Sequence, residues 1–340
     1  QAALFTQSTI DQWRAAEKDP NGISESGYPN YVAYPNTDWY DEVYNPKWMQ
    51  EHTVTVTGAE KRTTYNLSAT YVDNPGLADN SGMKKYYMRS NIESKISDFL
   101  KVGLRAWGYH TDQERNNIDD LNGNMMQKAT PGTYPYYDGA YGSPAATEED
   151  PVSTNPVYFM NRQGGFYKQT KFYVNPYVKI DFLKHFSLSY NFYYDHFRNE
   201  QFLHDTDYRE QKNFRTGIVT STPPTSETLA EDIVYYYIDG DQSWKSSTVL
   251  NYGQVFNKKH DVAAMIGYEE YRKWRRTTDV SKKGMVDSGL TDFDAMSEPN
   301  YLSGNTTEYS SRSLFGRLTY AYDSRYLFEV NMRYDGSSRF

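Results

Sequence analysis

The chain has 340 residues, a formal net charge of −8 and no cysteine. This length allows one large domain or two ordinary ones, and the lack of cysteine excludes disulfides and thiolate metal sites. The negative charge argues against a nucleic-acid partner. The mean hydropathy is −0.85, and no apolar run reaches the roughly 18 residues of a membrane-spanning helix. Tyrosine is the outlier, with 34 residues beside 16 Phe and 6 Trp, and this composition favours β structure.

Residues 1–50 differ from the remainder of the chain. Thr9 and Gln12 resemble a capping box and predict a short helix over residues 10–18. The segment that follows is rich in Pro, Asn and aromatic residues and has no clean period. We therefore expect an ordered connector, in which Trp39 and Trp48 are packing anchors rather than ligand contacts.

From residue 51 onward the sequence alternates with the period of two that a β-strand requires. Residues 186–197 are the clearest case, because Phe186 and Leu188 share one face while Ser187 and Ser189 share the other. Pro176 lies inside one predicted strand and indicates a local bulge or irregularity there. The pattern predicts ten strands, over residues 53–57, 63–72, 86–96, 100–113, 168–180, 186–197, 242–256, 261–276, 313–322 and 326–334.

The lengths of the connections alternate between short and long. The short connections are predicted at 58–62, 97–99, 181–185, 257–260 and 323–325, and the long ones at 73–85, 114–167, 198–241 and 277–312. Consecutive antiparallel strands place all short turns at one end, an asymmetry typical of outer-membrane barrels with short periplasmic turns and long extracellular loops. We predict an all-β fold, part of a transmembrane antiparallel β-barrel with an apolar face toward lipid and a charged face toward an aqueous lumen. A large soluble β protein stays open as the alternative.

Motifs for chemistry are scarce, and the sequence predicts no catalytic residue, no metal site and no cofactor. The six histidines have no metal-ligand spacing. Residues 116–120 have the oxygen ligands that calcium prefers but lack an EF-hand pattern, so a solvated loop is favoured. Residues 148–150 resemble loop charge rather than a glycosidase pair.

Aromatic residues in the longest predicted connection are the candidate substrate-binding residues. Tyr134, Tyr136, Tyr137 and Tyr141 could stack on sugar rings, although packing within the loop or contact with a lid is the favoured interpretation.

A basic run ends the strand predicted over residues 261–276. Its members are Arg272, Lys273, Arg275 and Arg276. For this run, outer-surface charge or lipopolysaccharide contact is favoured over substrate binding.

Four stretches carry a resemblance to a known family. Residues 314–340, LFGRLTYAYDSRYLFEVNMRYDGSSRF, resemble the hallmark hairpin of the SusC/RagA family of TonB-dependent outer-membrane transporters in Bacteroidetes-type bacteria. Residues 36–76, 86–108 and 131–142 resemble the start of its barrel, its third and fourth strands and a loop segment, in the family's order. The stretches 36–76 and 314–340 are quite specific to this family.

The resemblance implies a larger protein. Family barrels have 22 strands and an N-terminal plug, whereas we predict about ten strands and find no plug. An open sheet of ten strands would leave unpaired backbone in lipid. We therefore expect residues 51–340 to be the first portion of the barrel, and residues 1–50 to connect it to an upstream plug.

The function implied by the resemblance is active import of a bulky nutrient, an oligosaccharide or a peptide, across the outer membrane. The implied partners are a SusD-like surface lipoprotein acting as a lid, the TonB–ExbB–ExbD energising complex acting through the plug, and outer-membrane lipid. Enzymatic activity is not implied. Two alternatives remain: a soluble β-rich carbohydrate-binding or glycoside-hydrolase domain, and a passive porin-like barrel.

Overall fold

The computed structural model describes residues 5–115, 126–144, 155–205, 210–221, 232–287 and 289–339. Within these ranges β-strands dominate. In chain order they are Gln50–Glu60 (β1), Thr63–Asn74 (β2), Met83–Lys95 (β3), Leu100–Glu114 (β4), Tyr136–Tyr137 (β5), Ala140–Gly142 (β6), Gln163–Phe182 (β7), Phe186–Asp205 (β8), Gln211–Lys212 (β9), Val219–Ser221 (β10), Ile233–Phe256 (β11), His260–Met285 (β12), Met296–Tyr322 (β13) and Tyr326–Ser337 (β14). The ten long strands form one sheet in the order β1-β2-β3-β4-β7-β8-β11-β12-β13-β14. The predicted set of ten sequential antiparallel strands is confirmed.

Short turns join these strands at one end of the sheet, and the longer connections lie at the other end. Three of the turns place two consecutive residues in the left-handed region, with φ between 48° and 61°: Leu183 and Lys184, Asn257 and Lys258, and Asp323 and Ser324. Such turns match the right-handed twist of the flanking strands. The predicted alternation of short and long connections is confirmed.

Two predicted loops are wrong in extent. β8 continues to Asp205 and β11 begins at Ile233, so strand occupies much of the predicted loop 198–241. Likewise β12 continues to Met285 and β13 begins at Met296, within the predicted loop 277–312. Outside lipid both faces of a strand meet water, so nothing requires the apolar alternation on which the prediction depended.

Pro176 does not produce a bulge. The register with β8 is the same on both sides, Val174 with Tyr194 and Tyr177 with Asn191, but residues 175 and 176 have no paired partner in β8. The predicted irregularity is therefore a local interruption of the pairing. The side chain of Asn175, which is 1% exposed, donates its amide to the carbonyl of Phe192 at 3.1 Å. Because proline has no N–H to offer this carbonyl, the Asn175 amide replaces the missing donor and preserves the sheet.

A second folded unit lies at the long-connection end and is called the cap here. Its helices are Gln7–Ala16 (α1), Asn30–Ala33 (α2), Trp39–Val43 (α3), Met126–Lys128 (α4) and Pro156–Arg162 (α5), and its sheet has the order β10-β9-β6-β5. The predicted helix over residues 10–18 is three residues out of place at its start. Thr6, not Thr9, is the N-cap, and its hydroxyl accepts from the backbone N–H of Thr9 at 3.2 Å.

Two small apolar clusters hold the cap together. Trp39 and Val43 pack with Ala78 of the β2–β3 connection and with Met126 and Met160 of the β4–β7 connection. The second cluster contains Val32, Ala140 and Phe214. Residues 5–49 are therefore packed among the long connections of the barrel sheet.

Two minor sequence interpretations, at 116–120 and 148–150, lie outside the described residues. In the part of the chain that is described, no helix has both the length and the apolar character needed to cross a membrane.

Candidate membrane surface and lumen wall

The long sheet has one apolar face. Register places Val56 beside Leu67 and Ile92 beside Leu104, and the alternation continues to β14. These side chains have no protein layer over them: Met88 is 68% exposed and Met332 is 73% exposed. An exposed apolar surface of this extent is expected only where lipid or another protein covers it. We call it the outer face.

Aromatic rings border the outer face at both ends. At the short-turn end Phe186 stacks on Phe182 with ring centroids 5.6 Å apart and contacts Tyr252 at 4.9 Å. At the other end Trp244 and Trp274 lie on the same face. Two such girdles mark the interfaces of a transmembrane barrel.

Trp48 was predicted to be a packing anchor, and this prediction is wrong. Trp39 is buried, but Trp48 is 91% exposed two residues before β1. The indole of Trp48 lies at the long-connection end of β1, at the level of the girdle, where an amphipathic ring is stable between oil and water.

The opposite, inner face carries an aromatic row across three neighbouring strands. Trp107 of β4 stacks on Tyr173 of β7, with centroids 6.0 Å apart and an interplanar angle of 25°. Tyr173 in turn lies 6.2 Å from Tyr193 of β8. We call these three rings the lumen row.

Charged groups fix the lumen row in place. Lys171 lies 5.7 Å from the centre of the Trp107 ring and 3.5 Å from the carboxylate of Asp195. Lys245 lies 4.8 Å from the centre of the Tyr193 ring and 3.4 Å from Glu269. Ammonium groups over aromatic faces are attractive at these distances, so the row presents flat rings edged by paired charges.

Nearer the short turns, the inner face forms a cavity of about 670 Å³. The hydroxyl of Tyr177 donates to Glu93 at 2.6 Å, and Lys101 pairs with the same carboxylate at 2.9 Å. The guanidinium of Arg105 lies 4.4 Å above the Tyr177 ring. This ring covers Gly103, where a Cβ would come within 2.2 Å of it, so glycine is required for the ring to lie flat against the wall.

The four candidate tyrosines lie in the cap rather than on the inner face. Tyr141 is 3% exposed and packs on Tyr158 at 5.2 Å. Tyr134 and Tyr137 are half-buried, 5.9 Å and 6.4 Å from Tyr31, and burial raises the pKa of Tyr134 above its ordinary value. Tyr136 is 38% exposed. Three of the four are therefore packing residues in this structure, while their role toward a substrate stays a prediction.

The basic run is distributed over both faces of β12, and the strand does not end there. Lys273 points inward and pairs with Asp241 at 3.1 Å, and Arg275 pairs with Asp239 at 2.8 Å. Arg272 and Arg276 occupy the alternate, outward positions. The interpretation as outer-surface charge therefore fits Arg272 and Arg276 but not Lys273 and Arg275.

The lumen row was not predicted as a site. Alternation within residues 100–113 places Lys101, Arg105 and Trp107 together on the charged face of one strand, but the register that brings Tyr173 and Tyr193 beside Trp107 connects three separate strands. Among the described residues, no group of three or more side chains could hold a metal ion.

Known proteins resemble the chain over most of its length. TonB-dependent receptor P26 of Formosa agariphila is 27% identical over 92% of this chain and 30% of its own length. TonB-dependent receptor SusC of Bacteroides thetaiotaomicron is 25% identical over 97% of this chain and 33% of its own length. The solved structure of the RagAB peptide transporter aligns with 99% of this chain and 38% of that chain, with a TM-score of 0.72 and 21% identity. No family model matches the chain.

The sheet, its apolar outer face and its polar inner wall define part of a transmembrane β-barrel of the outer membrane. The resemblance to TonB-dependent receptors of the SusC/RagA type, expected from the sequence, is confirmed by these relatives. The chain spans about a third of the length of the relatives that it matches.

Proposed function

We propose that the chain is a portion of a TonB-dependent importer that carries a bulky nutrient, an oligosaccharide or a peptide, across the outer membrane. The two-faced sheet carries the proposal, because a wall that is apolar outside and lined by rings and charges inside suits a transport lumen. The named receptors support TonB-dependent uptake. The TonB–ExbB–ExbD complex would supply the energy for this uptake.

The lumen row suits either class of substrate. Flat rings such as Trp107 and Tyr193 stack on the apolar faces of sugars and on peptide side chains. The neighbouring Lys171–Asp195 pair supplies hydrogen-bond donors and acceptors for hydroxyl or amide groups. The solved relative described as a peptide transporter supports the peptide class, and the abundance of aromatic rings supports the glycan class.

A SusD-like lipoprotein lid would bind the cap. Several of its apolar side chains are exposed, including Ile23 at 69%, Tyr40 at 64% and Ile218 at 62%. Large apolar side chains left exposed on a folded surface favour a protein interface. The cap lies at the long-connection end of the sheet, which fits the extracellular position of a lid.

The test uses the full-length parent protein in its own bacterium, with uptake of labelled oligosaccharide and peptide pools as the measurement. We expect deletion of the gene for the parent protein to abolish uptake of one of the two pools. In the wild type, a proton uncoupler should stop uptake of the same pool. Uptake that continues after uncoupling would instead establish a passive porin-like barrel. Tyr193→Ala should reduce uptake severalfold, whereas Tyr194→Ala, on the outer face of the same strand, should not.

A further inference from the structure

Three arginines lie on the outer face of β12 and β13, above the apolar belt. Arg272 and Arg276 are in β12, and Arg312 is paired with Glu270 across the two strands. Twelve residues separate His260, where β12 begins, from Arg272. A rise of about 3.3 Å per residue and a tilt of about 40° place Arg272 about 30 Å from the short turns. The apolar band of such barrels is about 25 Å tall, so Arg272 lies at the level of the outer headgroups. By the same rise Arg276, four residues further along β12, lies about 10 Å higher.

Ion pairs hold two of these guanidinium groups against the sheet. Arg272 bonds Glu308 at 3.1 Å and lies 4.7 Å from the centre of the Trp274 ring. Arg312 donates two hydrogen bonds to Glu270, each at 3.1 Å. Their side chains remain 47% and 72% exposed, and a guanidinium has five donors, so each has N–H groups left for another acceptor.

Arg276 differs from the other two. It is exposed and has no ion-pair partner within the described ranges. Both inward cations of the same run, Lys273 and Arg275, are paired with aspartates of β11. The unpaired positive charge of the run, that of Arg276, therefore lies on the outer face.

The surface beside the arginines is suited to an amphipathic ligand. Directly below them on the outer face lie Tyr268, Leu314 and Tyr334, which are 43%, 50% and 77% exposed. A cavity of about 580 Å³ lies beside Arg272 and Arg312, and Ser310 and Ser338 contribute to its lining. A ligand that is anionic above and apolar below would meet complementary chemistry along its whole length.

We propose that this patch, formed by Arg272, Arg276 and Arg312, binds the anionic headgroup of an outer-leaflet lipid, with Arg272 and Arg312 at the level of its phosphate and Arg276 above it. The acyl chains of that lipid lie on the apolar face beneath. Three arginines and two glutamates leave the patch with a net charge of +1, and the free guanidinium N–H groups form charge-assisted hydrogen bonds to phosphate oxygens. The inference depends on the membrane position of the sheet and is independent of the imported substrate.

The experiment uses the full-length parent protein, delipidated in detergent and titrated with bis-phosphorylated lipid A, with bound lipid counted by native mass spectrometry. Arg272→Gln combined with Arg276→Gln is compared with Lys273→Gln combined with Arg275→Gln. The two double variants remove equal charge from opposite faces of one strand. Heat-modifiable gel migration confirms that each barrel is folded, and Arg276→Gln alone serves if the double variant fails to fold.

We expect the apparent Kd to rise about fivefold for each arginine removed from the outer face, with no change for the inner-face control. Dephosphorylated lipid A should bind the wild type as weakly as phosphorylated lipid A binds the outer-face double variant. Equal weakening by both double variants, or equal binding of phosphorylated and dephosphorylated lipid, would overturn the proposal. Displacement of the lipid by millimolar inorganic phosphate alone would also overturn it, because the site would then be a free-anion site.

Discussion

Asp232 provides the sharpest stability prediction. It directly precedes β11, is 2% exposed, and its Oδ2 has no hydrogen-bond partner in the described structure. Burial, followed by the nearby charge of Asp205, raises the pKa of Asp232 from 3.8 to about 7, while Arg162 acts in the opposite direction. The neighbouring cluster of Val234, Met285 and Met296 accounts for the apolar surroundings.

Asp232→Asn removes the ionisation and keeps the shape of the side chain. The rise from 3.8 to about 7 corresponds to about 4 kcal/mol. Because the pKa is higher in the folded state, ionisation of Asp232 lowers stability as the pH rises from about 4 to about 7. Local relaxation around a buried carboxylate relieves part of this cost, so we expect the asparagine variant to gain about 2 kcal/mol at pH 8.

Hydrogen exchange measured by mass spectrometry on peptides covering 232–238 and 281–287 tests this expectation. At pH 8 the variant should exchange about 30-fold more slowly than the wild type, since 1.4 kcal/mol is a factor of ten. At pH 4, where Asp232 is protonated in the wild type, the two should agree within about twofold. Asp294→Asn, an exposed aspartate of the same region, is the control. Equal protection of wild type and variant at pH 8 would refute the reasoning.

Three further substitutions test the sheet and the cap in the full-length parent protein. Gly103→Ala forces a Cβ to within 2.2 Å of the Tyr177 ring and should cost about 1–3 kcal/mol in thermal unfolding. Gly253→Ala, where nothing lies within 4 Å, should be neutral, and equal Tm values for the two would contradict the packing argument. Asn175→Leu leaves a β8 carbonyl without a donor and should cost about 1–3 kcal/mol in urea unfolding; an unchanged midpoint would show that water replaces the amide. Asn155→Ala removes two donated and two accepted hydrogen bonds inside the cap, so limited proteolysis of the cap should accelerate at least tenfold while the barrel strands stay protected, and an unchanged cleavage rate would count against this role.

The sequence was sufficient to predict the strands near the short turns, because one face of each must be apolar there. In β8, Phe186, Leu188 and Tyr190 give the alternation directly. It was not sufficient to predict Asp205 as the end of β8, since residues 198–205 show no alternation of apolar and polar side chains. The cap was missed for another reason: its contacts, such as Val32 with Phe214, join segments far apart in the chain, and no local period reports them.

The lumen row also combines a feature that the local sequence predicts with one that it does not. Alternation alone assigns Trp107 to the wet face of β4, but whether it forms part of a binding surface depends on which residues of β7 and β8 lie beside it. That depends on register. A short turn joins β7 to β8 and fixes their register, and a slip of one residue there would move Tyr193 to the lipid face. The register of β4 with β7, which places Trp107 beside Tyr173, spans a long connection. Turn geometry at Leu183 and Lys184 therefore positions the Tyr173 and Tyr193 rings relative to each other.

The strand pair β11–β12 shows how one strand can pass from lipid into water without a change in backbone structure. Near the short turn, Leu250 and Ile266 lie side by side on the outer face, where lipid requires apolar groups. From about residue 270 onward both faces carry ion pairs, Arg275 with Asp239 inside and Arg312 with Glu270 outside. Charged groups on the lipid face cost about 2–4 kcal/mol at the bilayer midplane but little near the interface. The first outward charge along the strand, rather than mean hydropathy, therefore marks the membrane boundary, and it does so at the height where the arginine patch would meet lipid phosphate.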